Sequence, residues 1–126
     1  MKVLALDHWV LTVQNIERSL EFYGGVLGME IRSFGENRIA LHVGNQKINL
    51  YEVGSEITPH ASRAFPGSAD MCFLISGELE DIKHDLERKS VELLCGIVER
   101  VGAQEPIRSL YLRDPDGNLI ELSQSM

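Results

Sequence analysis

Two side chains in this chain are placed for chemistry by their surroundings. His8 interrupts an otherwise apolar strand pattern, Ala5 to Val13, and Glu121 interrupts a second one, Leu119 to Leu122. The second pattern follows the tight turn Asp114–Pro115–Asp116–Gly117–Asn118. A polar group facing inward from an apolar strand needs a partner, because burying it unpaired is costly. A divalent metal ion is one partner that satisfies both residues, since a neutral imidazole and a carboxylate are good ligands for zinc, iron, nickel or manganese. The competing expectation is a core imidazole bonded to backbone and an exposed strand carboxylate.

The elements that must position these groups follow a repeat. Ala5–Val13 alternates as a strand, with Leu6, Val10 and Thr12 on the His8 side and Trp9, Leu11 and Val13 on the other. Asn15 can cap a helix in which Ile16, Leu20, Tyr23 and Leu27 form one stripe and which Gly28 ends. The pair Gly24–Gly25 follows no strand, so it is not a phosphate loop; it loosens the last helical turns. Strands are expected at Met29–Phe34, Arg38–Val43 and Lys47–Val53, with turns at Gly35–Asn37 and Gly44–Asn45. The order then restarts: a strand at Ser68–Ile75, a helix at Glu78–Lys89, and strands at Val91–Val98, Arg108–Arg113 and Asn118–Gln124.

The expected organisation is therefore α+β: one domain over residues 1–126, built from two tandem β-α-β-β-β units (4–53 and 68–126) joined by a linker, 54–67. Each unit covers one sheet face with its helix and leaves the other open. Two such units make a curved mixed sheet around a concave cavity, helices outside. By strand parity His8, Asn49, Asp70 and Glu121 point into that space. Glu52 is one step off that parity and is expected at the helix-side edge or in solvent unless a bulge re-aims it. The turn at Asp114–Asn118 sets the register that aims Glu121 inward, and its aspartates are structural.

Composition narrows the function. Nineteen acidic against twelve basic residues give a net charge of −7, which argues against a nucleic-acid partner. No apolar run is long enough for a membrane helix. The apolar opening Val3–Leu6 stops at Asp7, too soon for a signal peptide, so a cytoplasmic location is expected. Cys72 and Cys95 are widely spaced in apolar runs and read as reduced core residues.

The order Asp7–His8, Asn15 to Tyr23, Leu27–Gly28–Met29 and, at the end, Asp114 to Asn118 followed by Ile120–Glu121–Leu122 resembles the vicinal oxygen chelate superfamily. That group contains glyoxalase I, extradiol dioxygenases, fosfomycin-resistance thiol transferases and bleomycin-binding proteins. Within it the chain looks most similar to small glyoxalase-domain proteins, often labelled as virulence-associated. The resemblance covers nearly the whole chain.

It implies a metal held from the first and last strands of each unit, positions occupied here by His8, Asn49, Asp70 and Glu121. His8, Asp70 and Glu121 are the expected ligands. Asn49 departs from the pattern, since an amide is a poor transition-metal ligand. It is expected at the wall of a substrate pocket with Tyr51 and Arg108. Asp70 also departs, because histidine is frequent there; its alternative is an ion pair with Arg63 or Arg108.

The implied function is a metal-dependent enzyme of the glyoxalase or dioxygenase type. The best match is a lyase or isomerase acting on a vicinal-oxygen substrate such as a 2-oxoaldehyde–thiol adduct, with Glu121 as the catalytic base. A single histidine counts against an extradiol dioxygenase. The alternative is a metal-free small-molecule or drug-binding protein of the bleomycin-resistance kind. Either acts on a small molecule, and a homodimer is the expected assembly.

Overall fold

The computed structural model describes residues 1–126 and separates into two compact units, Met1–Gly67 and Ser68–Met126. In the first unit the order is β1 (His8–Val13), α1 (Ile16–Leu20), β2 (Glu30–Phe34), β3 (Arg38–Val43) and β4 (Gln46–Glu52). In the second it is β5 (Asp70–Leu74), α2 (Leu79–Arg88), β6 (Val98–Val101), β7 (Pro106–Arg113) and β8 (Leu119–Ser125). The architecture is α+β, with the β-α-β-β-β order present twice. Each unit forms a four-stranded mixed sheet, β1-β4-β3-β2 and β5-β8-β7-β6. In both, the first and last strands of the unit run parallel, side by side. The residues expected to link the units, 54–67, carry neither helix nor strand and group with the first unit.

Local chemistry explains the first unit. Asn15 is extended, at φ −148°, and its side chain accepts from the Arg18 N–H at 3.0 Å, satisfying a donor that the helix start leaves open. Glu52 Oε2 accepts from the Ile16 N–H at 3.0 Å, so that carboxylate does face the helix side. The helix does not run on as a regular α-helix toward Gly28. From Glu21 to Val26 it widens into a π-helical segment, with the Leu27 N–H donating to the Phe22 carbonyl at 3.0 Å. Gly24 sits in this segment against Ile31, and a Cβ there would lie 2.4 Å from Ile31 Cδ1. Leu11, Val13, Phe22, Tyr23, Leu41, Ile48 and Leu50 form the buried core of this unit; burying a side chain of this size contributes about 1.5–3 kcal/mol.

In the second unit Leu79 and Leu86 turn one face of α2 inward, over Met71, Phe73, Leu110, Leu112, Ile120 and Leu122. Gln124 Oε1 accepts from the Leu79 N–H at 3.1 Å, tying the helix start to β8. One expected element is corrected. The strand anticipated at Val91–Val98 is instead the four-residue β6, Val98–Val101. The stretch 91–98 is apolar, but Gly96 and the bends around it leave one ladder-like bond, from the Leu94 N–H to the Tyr111 carbonyl at 3.0 Å. An edge segment needs its partner's groups in register, and side-chain alternation does not supply that.

The β6–β7 turn closes with the Gly102 N–H donating to the Glu105 carbonyl at 2.9 Å. A Cβ on Gly102 would fall 2.6 Å from that same carbonyl oxygen and 3.1 Å from Ile107 Cγ2. Gly102→Ala is therefore expected to destabilise the protein by about 1–3 kcal/mol, since the hairpin backbone must move. A denaturant midpoint unchanged from the parent would show that the turn has room to shift.

Candidate metal centre and ligand face

Strand pairing decides which side chains share the open face of each sheet. In the first unit His8 pairs with Lys47, Val10 with Asn49 and Thr12 with Tyr51, while Ala40 pairs with Asn49 and His42 with Lys47. His8, Asn49 and Tyr51 therefore lie on one face, opposite Leu11, Val13, Ile48 and Leu50 of the core. In the second unit Asp70 pairs with Leu119 and Cys72 with Glu121, so Asp70 and Glu121 share a face, opposite Ile120 and Leu122. Each unit thus presents one first-strand group and one last-strand group together: His8 with Asn49, and Asp70 with Glu121. His8 and Glu121 belong to different units.

The donor atoms of these residues are held in a way that suits a metal. His8 Nδ1 is 2.7 Å from Asp7 Oδ2. A carboxylate only accepts, so Nδ1 carries a proton, and it is Nε2 that the neutral ring offers to a ligand. A carboxylate behind a ligating imidazole is the arrangement that fixes its tautomer and orientation. Both side chains are open to solvent, at 47% for His8 and 90% for Asp7. Glu121 is held through one oxygen, where Oε2 accepts from Ser109 Oγ at 2.5 Å and from Ser123 Oγ at 3.3 Å, and its carboxylate also interacts with the Tyr111 hydroxyl and the Cys72 thiol. Asp70, exposed at the head of β5, forms no ion pair with Arg63 or Arg108. Asn49 is 3% exposed, and its Oδ1 is buried with no hydrogen-bond partner. Neither unit by itself gathers three His, Cys, Asp or Glu side chains into a ligand set.

Two expectations change. Arg108 lies one position off the Glu121 face, beside Gln124 in the ladder, and its Nη2 donates to Glu80 Oε1 of α2. It anchors the helix rather than lining a pocket with Glu121. That pairing holds the Glu80 carboxyl below, and the Arg108 guanidinium above, its usual range. Cys72 and Cys95 are exposed rather than core residues, because the alternating strand turns Cys72 onto the open face. Cys72 Sγ lies 3.1 Å from Ser123 Oγ. Partial desolvation and then the neighbouring Glu121 charge push its thiol up, against the opposing Ser123 bond, so it is a poor thiolate at neutral pH.

Sequence reasoning missed three supports: Asp7 behind His8, the Ser109–Ser123 pair behind Glu121, and Arg38. Asp7 adjoins His8 in the chain and was legible in principle. The serines depend on cross-strand register and were not.

Two cavities are lined in part by these residues. One, of about 660 Å³, is lined by Cys72, Leu74, Arg100, Val101, Ile107 and Glu121 among others. The other, of about 320 Å³, lies at the edge of the first sheet and is lined by Arg38, Asn49 and Tyr51 together with Ile16, Leu50 and Glu52 of the helix side. No helix is long and apolar enough to cross a membrane.

Comparison with known proteins adds a family context. The family described as the Glyoxalase/Bleomycin resistance protein/Dioxygenase superfamily matches residues 5–122. Virulence protein STM3117 of Salmonella typhimurium is 48% identical over 119 residues, covering 94% of this chain and 83% of that protein. Its crystal structure superposes with a TM-score of 0.96, covering 100% of both chains. Glyoxalase domain-containing protein RDO1 of Mycosarcoma maydis is 44% identical, covering 98% of this chain and 69% of that protein. Lactoylglutathione lyase from Agrobacterium tumefaciens, at 18% identity, shares the fold with a TM-score of 0.72, over 98% of this chain and 95% of that one.

Proposed function

The chain belongs to the glyoxalase/bleomycin resistance protein/dioxygenase superfamily, and on that premise we propose that it is a metal-dependent lyase or isomerase acting on a small vicinal-oxygen substrate, such as a 2-oxoaldehyde–thiol adduct. His8, Asp70 and Glu121 hold the ion, from one chain or across a homodimer. The observation that carries this reading is the donor set. His8 presents Nε2 behind its Asp7 bond, Glu121 is anchored at Oε2 by two serines, and Asn49 Oδ1 is buried with nothing to accept from. A divalent ion (zinc, nickel, manganese or iron) would supply Lewis-acid polarisation of the substrate oxygens.

The chain's own residues do the rest. Asp7 holds the His8 imidazole in one tautomer. Ser109 and Ser123 fix the Glu121 carboxylate, which takes a proton from one substrate carbon and returns it to the next. Asn49 and Tyr51 form part of the substrate wall.

The test is metal titration of protein stripped with chelator, using each of the four ions, followed by turnover of the methylglyoxal–glutathione adduct. The parent is expected to take up stoichiometric metal. His8→Ala is expected to weaken uptake by more than about 100-fold and Asp7→Asn by about 10–100-fold. Failure of the parent to retain any of the four ions would favour the metal-free binder, a reading that the amide at Asn49 supports, since an amide is a weak metal ligand.

A further inference from the structure

We infer that the open face of the first sheet holds a subsite for a small 2-hydroxycarboxylate, with Arg38 taking the carboxylate and Asn49 the hydroxyl. This inference rests on reading that face as the ligand face and does not depend on the metal.

Arg38 is held without a counter-ion. Its guanidinium lies over the rings of Phe34, at 4.5 Å, and Tyr51, at 5.8 Å. It donates once within the protein, from Nη2 to Tyr51 Oη at 3.2 Å. Its Nε is buried with no acceptor. A guanidinium has five N–H donors in a planar fork shaped for a carboxylate. One fixed between aromatic faces and left with spare donors is pre-organised for a planar anion, having already lost its rotamer freedom.

The surroundings agree in sign. In the ladder, Arg32 faces Ala40 and Phe34 faces Arg38, so these groups share the Asn49 face. Arg32 is engaged by Glu30 through two 3.0 Å bonds. Lys47 stands over the Phe34 ring at 3.6 Å, adding a second cation that no carboxylate pairs. The two carboxylates at the rim of the cavity do not neutralise Arg38: Glu52 is bonded to the α1 start, and Glu36 is exposed on the turn.

Asn49 sets the second half of the ligand. Its buried Oδ1 lacks a donor, a state that costs free energy unless a ligand hydroxyl fills it. Arg38 and Asn49 share one sheet face by register, Asn49 beside Ala40 and Arg38 two positions along β3 from Ala40, and both contribute to a cavity of about 320 Å³ that also takes in Ile16, Leu50 and Glu52 of the helix side, at the small end of the range for ligand pockets. A carboxylate with a hydroxyl on the adjacent carbon matches both groups within that volume.

Calorimetric titration with glycolate tests the assignment, with acetate, glycolamide and inorganic phosphate as comparison ligands. Saturable glycolate binding is expected. It should weaken about tenfold or more in Arg38→Gln and severalfold in Arg38→Lys, which keeps the charge but not the fork. Arg88→Gln, on the surface of α2, should bind as the parent does. Acetate and glycolamide should both bind more weakly than glycolate. Absence of glycolate binding by the parent, or equal binding by a folded Arg38→Gln protein, overturns the subsite. So does preference for phosphate, and acetate binding as tight as glycolate removes the hydroxyl assignment to Asn49. Circular dichroism on each variant confirms that the fold is intact. Zinc uptake on the same samples separates the two readings: zinc retained with glycolate unbound sinks only the subsite, and glycolate bound with no zinc sinks only the metal.

Discussion

Glu121→Gln is expected to lower turnover by roughly 10²–10⁴-fold while the protein stays folded. The reason lies in how the carboxylate is held. Oε2 accepts from Ser109 and Ser123, and an amide oxygen can take over those two bonds. The substitution therefore preserves shape and the serine contacts. It replaces Oε1, the oxygen the serines do not hold, by an NH₂ group that can neither accept a proton nor ligate a cation. Stability should change little. Ser109 gives its one proton to Oε2 at 2.5 Å, and Ser123 shares its single proton between Ser109 Oγ at 2.7 Å and Oε2 at 3.3 Å, so neither buried hydroxyl is orphaned. A thermal midpoint within about 3 °C of the parent, with metal uptake and turnover both lost, is the expected pattern. Turnover within tenfold of the parent would place the base elsewhere.

The second large effect concerns folding. Asp114→Ala is expected to cost about 3–5 kcal/mol and to lower the thermal midpoint by roughly 10 °C or more. Asp114 is 6% exposed. Its Oδ1 accepts from the N–H groups of Asp116 and Asn118, each at 2.9 Å, and its Oδ2 from Asn118 Nδ2 at 2.7 Å. Removing the carboxylate strands three donors, two of them on the fully buried Asn118. The damage does not stop at the turn. Asn118 Oδ1 accepts from the Ala69 N–H at 2.8 Å, and the Leu119 N–H donates to the Ala69 carbonyl at 3.0 Å. These bonds lock the start of β5 to the start of β8, two positions before Glu121. Asp114→Asn should recover part of the loss, since an amide oxygen can still accept from one of the turn's N–H groups. A midpoint within about 2 °C of the parent for Asp114→Ala would show that proline and glycine geometry alone holds this turn.

The repeat, the order of its elements and the open-face parity of His8, Asn49, Asp70 and Glu121 were all legible in the chain. They are period-2 and period-3.6 patterns, and side-chain direction along a strand follows from backbone geometry alone. The turn at Asp114–Asn118 was legible for the same kind of reason, because its proline and glycine constrain φ locally. The π-helical widening at Gly24, the displacement of β6 to Val98–Val101 and the turning of Arg108 toward Glu80 were decided by tertiary packing. Each depends on what a distant element offers: Ile31 against Gly24, the β7 ladder beside Gly96, a helix carboxylate over the second sheet. Asn49 shows the boundary most clearly. Its place on the face could be counted from residue numbers, but that its amide oxygen lies buried and unpartnered, on the face that also carries a guanidinium with no counter-ion, depends on cross-strand register, which the chain's local pattern does not encode.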